Sequence, residues 1–460
     1  MNTRLASSLL LALCAAPACG PSGSGDDAID APASDGVLPP IRIPGGGVTS
    51  APIEGVVNVY VVEPGTATPI AGAAVHLGGA GGALQLDAST DPDGLAVFRD
   101  AGLTGAQTIT ATASGRTAAT WIGVAGGNVT IPLAPRVTPS AQVSGTIAGW
   151  SSLPSPSFGH YTLAVITTSF TRNFGGPENR LTQATSGGTP VNTCINDGSG
   201  GACAWRLTAR TGPQVHTAVI VDGDSQLTTT TDDDTYDLIG YAVGSPMTLG
   251  AGQQVNGESL TLVSAGLAGF TARFPAAAPG LGRAIAIPML DTGANGMVAM
   301  PLPTLTAGSA TTQVLPPSGS LGGSYRLVGL ATPSATAAAP FSSSFAAVTD
   351  LGNATLPAWL PAPTGITSGG GSIGFTAPAG TSLAFANLSS GGTAAWTITV
   401  LDGTTSLRLP PISPDPLSGG AITLDVTAAD APGFDPAMFL IDDVTAALAR
   451  ASGASAAFTR

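Results

Sequence analysis

Residues 108–135 read TITATASGRTAATWIGVAGGNVTIPLAP, and the spacing of the apolar positions in this stretch decides the fold. In 108–114, Ile109, Ala111 and Ala113 alternate with threonine and serine; in 128–133, Val129, Ile131 and Leu133 occupy every second position. A period of two puts those residues on one face of an extended chain, the signature of a half-buried β-strand. The same alternation recurs in SLTLV (259–263) and AITLDV (421–426). The run 397–409 reads as two strands around the turn pair Asp402-Gly403. The best helical pattern is MFLIDDVTAALAR (438–450), which also fits a strand followed by a short turn.

Composition agrees. The 460 residues include 63 Gly and 38 Pro, far above ordinary usage. Such a chain disfavours long helices and favours many turns between short strands. A 43% hydrophobic content supplies packed interiors, while only 9% of residues are charged. All 15 basic residues are arginine, and the net charge is −13. This excludes the basic stripe of a nucleic-acid binder and electrostatic docking on anionic lipid. The length implies several domains.

The N-terminus sets an expectation about place. Arg4 precedes the apolar run LASSLLLALCAA (5–16), too short to span a bilayer. A small-residue site follows, so residues 1–18 read as an export signal. Ala16-Pro17-Ala18 before Cys19 fits ordinary cleavage and also resembles a bacterial lipobox, in which Cys19 carries the lipid. With Cys14 removed, Cys194 and Cys203 flank INDGSGGA and are expected to pair. That leaves Cys19 odd, and lipidation accounts for it. Residues 19–50, rich in Gly, Ser, Pro and Asp, read as a disordered acidic tether. The partner implied is the membrane, through several acyl chains on one residue.

The segments GVVNVYVVEPGTATPIAGAAVHL (55–77), STDPDGLAVF (89–98) and 108–135 together resemble the carboxypeptidase regulatory-like, or transthyretin-like, β-sandwich. The matching positions are Pro69, Gly72, Ala73, Val75, Thr90, Asp91, Gly94 and Phe98. The resemblance covers about 85 residues and implies an accessory or cell-surface module without chemistry of its own. Asp91-Pro92-Asp93-Gly94 is also a turn on physical grounds. Proline-rich breaks divide the rest, giving modules at 51–137, 138–264, 265–362 and 363–460. The expected fold class is all-β, serial Ig-like or transthyretin-like β-sandwich modules after the signal and tether.

Candidate chemistry is sparse. GGSIG (370–374) has the form G-x-S-x-G around Ser372, but the chain continues as a strand and no histidine follows His216. DGSGG (197–201) lies inside the expected disulfide loop. His76, His160 and His216 sit singly in strand-like contexts, whereas zinc needs three or four close ligands. No cofactor is expected. Calcium is the most credible metal, at Asp232, Asp233 and Asp234, with further acidic turns at Asp87, Asp91 and Asp93 and at Asp222 and Asp224; the bland reading of all of them is solvated turns. Glu54, Glu63, Glu178 and Glu258 are the only glutamates available as paired acids. Five tryptophans, Trp121, Trp150, Trp205, Trp359 and Trp396, are spread along the chain like core anchors, with Trp205 two residues from Cys203. The sequence therefore predicts a non-catalytic cell-envelope lipoprotein, exported and anchored at the outer membrane or cell surface, that binds an envelope protein or glycan or serves in adhesion or display. The alternative is a secreted hydrolase, or its accessory subunit, with carbohydrate binding.

Overall fold

The computed structural model describes residues 41–459 apart from 81, 171–184, 187–188, 191, 197–200, 225–234, 264–267, 276–279, 300–309, 316–322, 334–339, 349–352, 370, 411, 414 and 418–419. Among these the architecture is almost entirely β, with a single α-helix, Ile441–Ala447.

The chain begins with β1 (Gly47–Pro52), β2 (Glu54–Val62), β3 (Ala74–Leu77), β4 (Leu86–Ser89), β5 (Leu95–Thr104), β6 (Gln107–Thr112), β7 (Ala118–Val124) and β8 (Gly126–Pro132). β8 lies between β1 and β2, and β5 closes the edge beyond β2. β6 pairs with β3 and β7. The two layers enclose Val57, Val59, Val75, Phe98, Ile109, Trp121, Val129 and Ile131, so the alternation at 108–135 does face a core. The Thr-Asp-x-x-Gly step has a local cause. Thr90 Oγ1 accepts from Ala73 N at 2.8 Å and donates to Ile70 O at 2.7 Å. Asp91 Oδ1 accepts from Asp93 N and Leu95 N, each at 2.9 Å. Gly94 sits at φ 74° with a would-be Cβ 2.7 Å from Val61 O, which only glycine tolerates.

Residues 41–50, expected as the end of the tether, are instead folded. Ile43 is buried and donates its N–H to Thr130 Oγ1 at 3.0 Å. Asn128 Nδ2 donates to Ile41 O. Gly45, Gly46 and Gly47, all at positive φ, then turn the chain into β1. Apolar anchors at 43 and 48 outweigh the Gly-rich composition that suggests disorder.

The chain continues with β9 (Ser140–Ala148), β10 (His160–Thr168), the ribbon β11 (Thr185–Ser186) and β12 (Thr189–Pro190), β13 (Thr193–Asn196), β14 (Ala204–Arg210), β15 (Gly212–Gln214), β16 (His216–Asp224), β17 (Thr235–Val243), β18 (Met247–Leu249) and β19 (Gln254–Leu262). Seven of these form one sheet in the order β13-β10-β16-β17-β19-β9-β14. β16, HTAVIVDGD, is apolar at consecutive positions because both its faces are covered. Ala218 and Ile220 enter one core with Val143, Ile166 and Leu207. Val219 and Val221 enter another with Phe270, Leu327 and Trp359.

That second core draws on β20 (Ala268–Arg273), β21 (Arg283–Asp291), β22 (Met297–Ala299), β23 (Ala310–Leu315), β24 (Ser324–Thr332), β25 (Phe341–Val348) and β26 (Asn353–Thr355). Last come β27 (Thr364–Gly369), β28 (Ser372–Thr376), β29 (Leu383–Ser390), β30 (Thr393–Val400), β31 (Ser406–Arg408), β32 (Ala421–Asp430), β33 (Phe439–Leu440), the helix and β34 (Arg450–Thr459). The strands around Asp402-Gly403 do not pair with each other: β30 joins β29 and β7, whereas β31 joins β28.

The described chain forms two compact units. One, the insert unit, comprises Thr138–Pro361 and Ala449–Ser452; the other, the terminal unit, comprises the flanking segments. The modules read at 51–137 and 363–460 therefore share one unit, and those at 138–264 and 265–362 share the other. In the terminal unit β30 runs parallel to β7, with Trp396 opposite Ala118, and Trp396 Nε1 donates to Thr120 Oγ1 at 2.9 Å. β33 supplies the outer neighbour of β1.

Candidate functional site

The most concentrated chemistry lies inside the seven-stranded sheet. Register places Thr168 opposite His216, Ile166 opposite Ala218 and Ala164 opposite Ile220. Directly opposed residues share a face. On the other flank Trp205, Leu207 and Ala209 of β14 oppose Gly145, Val143 and Ala141 of β9. All seven strands contribute to this interior or to its rim. A Cβ on Gly145 would lie 2.0 Å from Glu258 O and 2.8 Å from the Trp205 ring, so glycine is what admits the indole. β13 and β14 are the two edges of the sheet, and the disulfide Cys194–Cys203 spans them with Cα atoms 5.4 Å apart. It therefore does more than staple a short loop: it draws the sheet round on itself.

One end of this interior is polar. His216 is fully buried, and its Nδ1 lies 2.8 Å from Glu258 Oε2, an ion-pair distance without hydrogen-bond alignment. Its Nε2 has no partner among the described residues. The Trp205 ring stands 6.0 Å from the imidazole. Thr168, 1% exposed, donates its hydroxyl to the Gln214 side-chain oxygen, and Gln214 is itself fully buried. Gln214 Nε2 donates to Arg210 O at 2.7 Å. Arg210, 4% exposed, donates to the carbonyls of Ser169, Thr211, Pro213 and Asn295 and to Ser169 Oγ. A hydroxyl, a carboxamide, an imidazole, a carboxylate and a guanidinium thus meet in a dry interior. On the other face of β17, Tyr241 has its phenol held well above the ordinary range, first by burial and then by neighbouring Tyr325.

The remaining candidates are dispersed. His76 Nδ1 lies 2.8 Å from Asp87 Oδ1, and its Nε2 lies 2.9 Å from Gln85 Oε1. His160 Nδ1 lies 3.2 Å from Asp222 Oδ2. Each of the three histidines thus stands on a strand facing its own carboxylate. Asp91 is consumed by its turn. Asp222 and Asp224 face His160 along one register of β10 and β16. Among the described residues no group of three or more His, Cys, Asp or Glu is placed to hold a metal ion. Cys19, Asp232, Asp233, Asp234, Glu178 and most of DGSGG lie outside the described residues. Ser372 opens β28 and opposes Gly369 and Arg408, so this serine belongs to a strand. All five tryptophans are buried; Trp121 stacks on Phe439 and Trp359 on Phe274.

Sequence reasoning missed Thr168, Arg210 and Gln214 and treated His216 as isolated. The only available signal was a polar cluster, ARTGPQVHT (209–217), interrupting strands of otherwise apolar alternation.

No family model matches the sequence, and no curated protein matches it. Solved structures with some likeness include the Bacillus anthracis TIE protein, at 7% identity and TM-score 0.17, covering 66% of this chain and 51% of that one. The chain thus spans about half the length of that protein. Another is the fimbrial anchor protein Mfa2 from Porphyromonas gingivalis, at 11% identity and TM-score 0.14, covering 41% of this chain and 77% of that one. A third is the full-length major pilin SpaD from Corynebacterium diphtheriae, at 10% identity and TM-score 0.15, covering 60% and 86%.

Proposed function

We propose that this chain is an exported protein of the bacterial cell envelope that acts by binding or by structural display rather than by turnover of a substrate. The observation that carries this reading is where the reactive side chains are used. His216 and Glu258 are enclosed in a core, and His76 and His160 are spent on carboxylates along strands. The disulfide closing the seven-stranded sheet supports an oxidising compartment. In this reading Cys19 carries the lipid, residues from 20 onward lead to the first strand, and 51–137 is a carboxypeptidase regulatory-like spacer. Capture by the full-length protein from intact envelope, with a glycan array in parallel, is expected to return a partner without chemical change to it. Steady turnover of ester, peptide or glycoside substrates would overturn the reading. Radiolabelled palmitate is expected in the wild-type chain and not in Cys19→Ala.

A further inference from the structure

We propose that Thr168 and Gln214 join in an intramolecular ester, formed once by the folded insert unit itself. This goes beyond the binding reading and does not depend on it. Thr168 and Gln214 are 46 residues apart, yet hydroxyl and carboxamide are in contact and water is excluded from both. A nucleophile held beside its acyl group reacts as in a unimolecular step, without the entropy cost of an encounter.

The surroundings supply each role that acyl transfer needs. His216 is the cross-strand partner of Thr168, so the two side chains stand on one face about 5 Å apart at Cβ. Glu258 Oε2 lies 2.8 Å from Nδ1 of the imidazole, and Nε2, without a partner among the described residues, is the nitrogen left to act as the base. This is the nucleophile, base and orienting carboxylate of hydroxyl-based acyl transfer. Arg210 donates Nη2 to Pro213 O and Ser169 Oγ, the chain neighbours of the two reactants. Its guanidinium thus brings a positive charge into the same interior, and charge of that sign favours the anionic tetrahedral intermediate of acyl transfer.

The step balances without a redox partner. Thr168 Oγ bonds to Gln214 Cδ as its proton passes to His216 Nε2. The Cδ–Nε2 bond of Gln214 then breaks, and the proton leaves with the nitrogen as ammonia. Escape of ammonia into solvent draws the exchange forward, and a dry interior protects the ester from hydrolysis. The product cross-links the end of β10 to the chain entering β16. Because the acyl group stays in place, the reaction occurs once per molecule.

The test is peptide mapping of the full-length, folded wild-type protein. Cleavage after arginine places Thr168 in the peptide 137–172 and Gln214 in the peptide 211–273, and both cysteines of the disulfide in a third, 181–206. The expected product is 137–172 joined to 211–273, lighter than their sum by one ammonia and separated by hydroxylamine. Thr168→Ser keeps the link. Thr168→Val, close in shape, abolishes it while the disulfide still forms. His216→Ala and Glu258→Gln slow its appearance, His216→Ala by roughly 10²-fold or more. Recovery of both wild-type peptides free and at full mass, or of Glu at 214 with Thr168 free, would overturn the proposal. So would a link that forms at the wild-type rate in His216→Ala.

Discussion

In the terminal unit, the strands around Trp121 enclose Val48, Val57, Val59, Ile109 and Ile131. In the insert unit, the strands around Trp205 enclose His216 and Glu258 beside Leu207 and Ile220. Both interiors are built from β-strands alone or nearly so. The terminal unit keeps an ion pair at the margin, where Arg116 meets Glu63 through two contacts with both side chains partly exposed. The insert unit takes its charges inside. An aliphatic interior gains from every contact and depends on none in particular. A polar one is stable only while each charged group keeps its partner.

That contrast can be broken at the buried pair, where the largest effect is expected. His216→Ala leaves the Glu258 carboxylate buried without its neighbour and should cost the insert unit about 3–5 kcal/mol, and Glu258→Ala, which leaves only an imidazole, should cost less. Hydrogen exchange resolved by peptide should show loss of protection in β10, β16 and β19, with β7 and β30 unchanged. A cost below about 1 kcal/mol for His216→Ala would mean the interior is not as closed as its geometry indicates.

Replacing Cys194 and Cys203 together by serine tests the closure of the sheet. The expected cost is about 2–3 kcal/mol by chemical denaturation, mainly from freedom returned to the unfolded chain. Protection should fall first at β13 and β14.

Alkaline pH sharpens the comparison further. Tyr241 is neutral when buried, and its phenol ionises more readily in the unfolded chain, near pH 10. Its contribution is therefore complete below that pH and lost as pH rises above it, by about 1.4 kcal/mol per pH unit. Denaturation at stepped pH should show this slope in the insert unit and its reduction in Tyr241→Phe. The smallest effect is expected in the terminal unit, where Arg116→Gln should cost less than about 1 kcal/mol, because solvent screens the pair.

Much of the fold could be read from residues. Val129 and Ile131 are core, Asp91 and Gly94 make their turn, and Ser372 belongs to a strand, each for a reason visible within a few positions. The pairing of Cys194 with Cys203 follows from their number and spacing. What was illegible is long-range. Nothing near Trp396 says that it lies beside Ala118, and nothing near Ile43 says that Thr130 awaits its N–H. Local turn chemistry fixes a hairpin, but register between strands hundreds of residues apart is set by side-chain fit alone. The polar interior was hidden for the same reason, since Thr168, Gln214, His216 and Glu258 meet only after four segments fold together.

The pairing of Gly47 with Leu440 and of Val48 with Phe439 carries a consequence for biogenesis. A polypeptide made amino end first delivers β1 long before its outer neighbour. Nearly four hundred residues must follow before that ladder can be completed, and so distant a closure is slow. Until then the outer side of β1 at Gly47 and Val48 lacks its ladder partner, an invitation to strand exchange with a sister molecule. Completion of this edge therefore waits for residues 439–440, and a truncation before residue 439 would leave a sticky, half-zipped product.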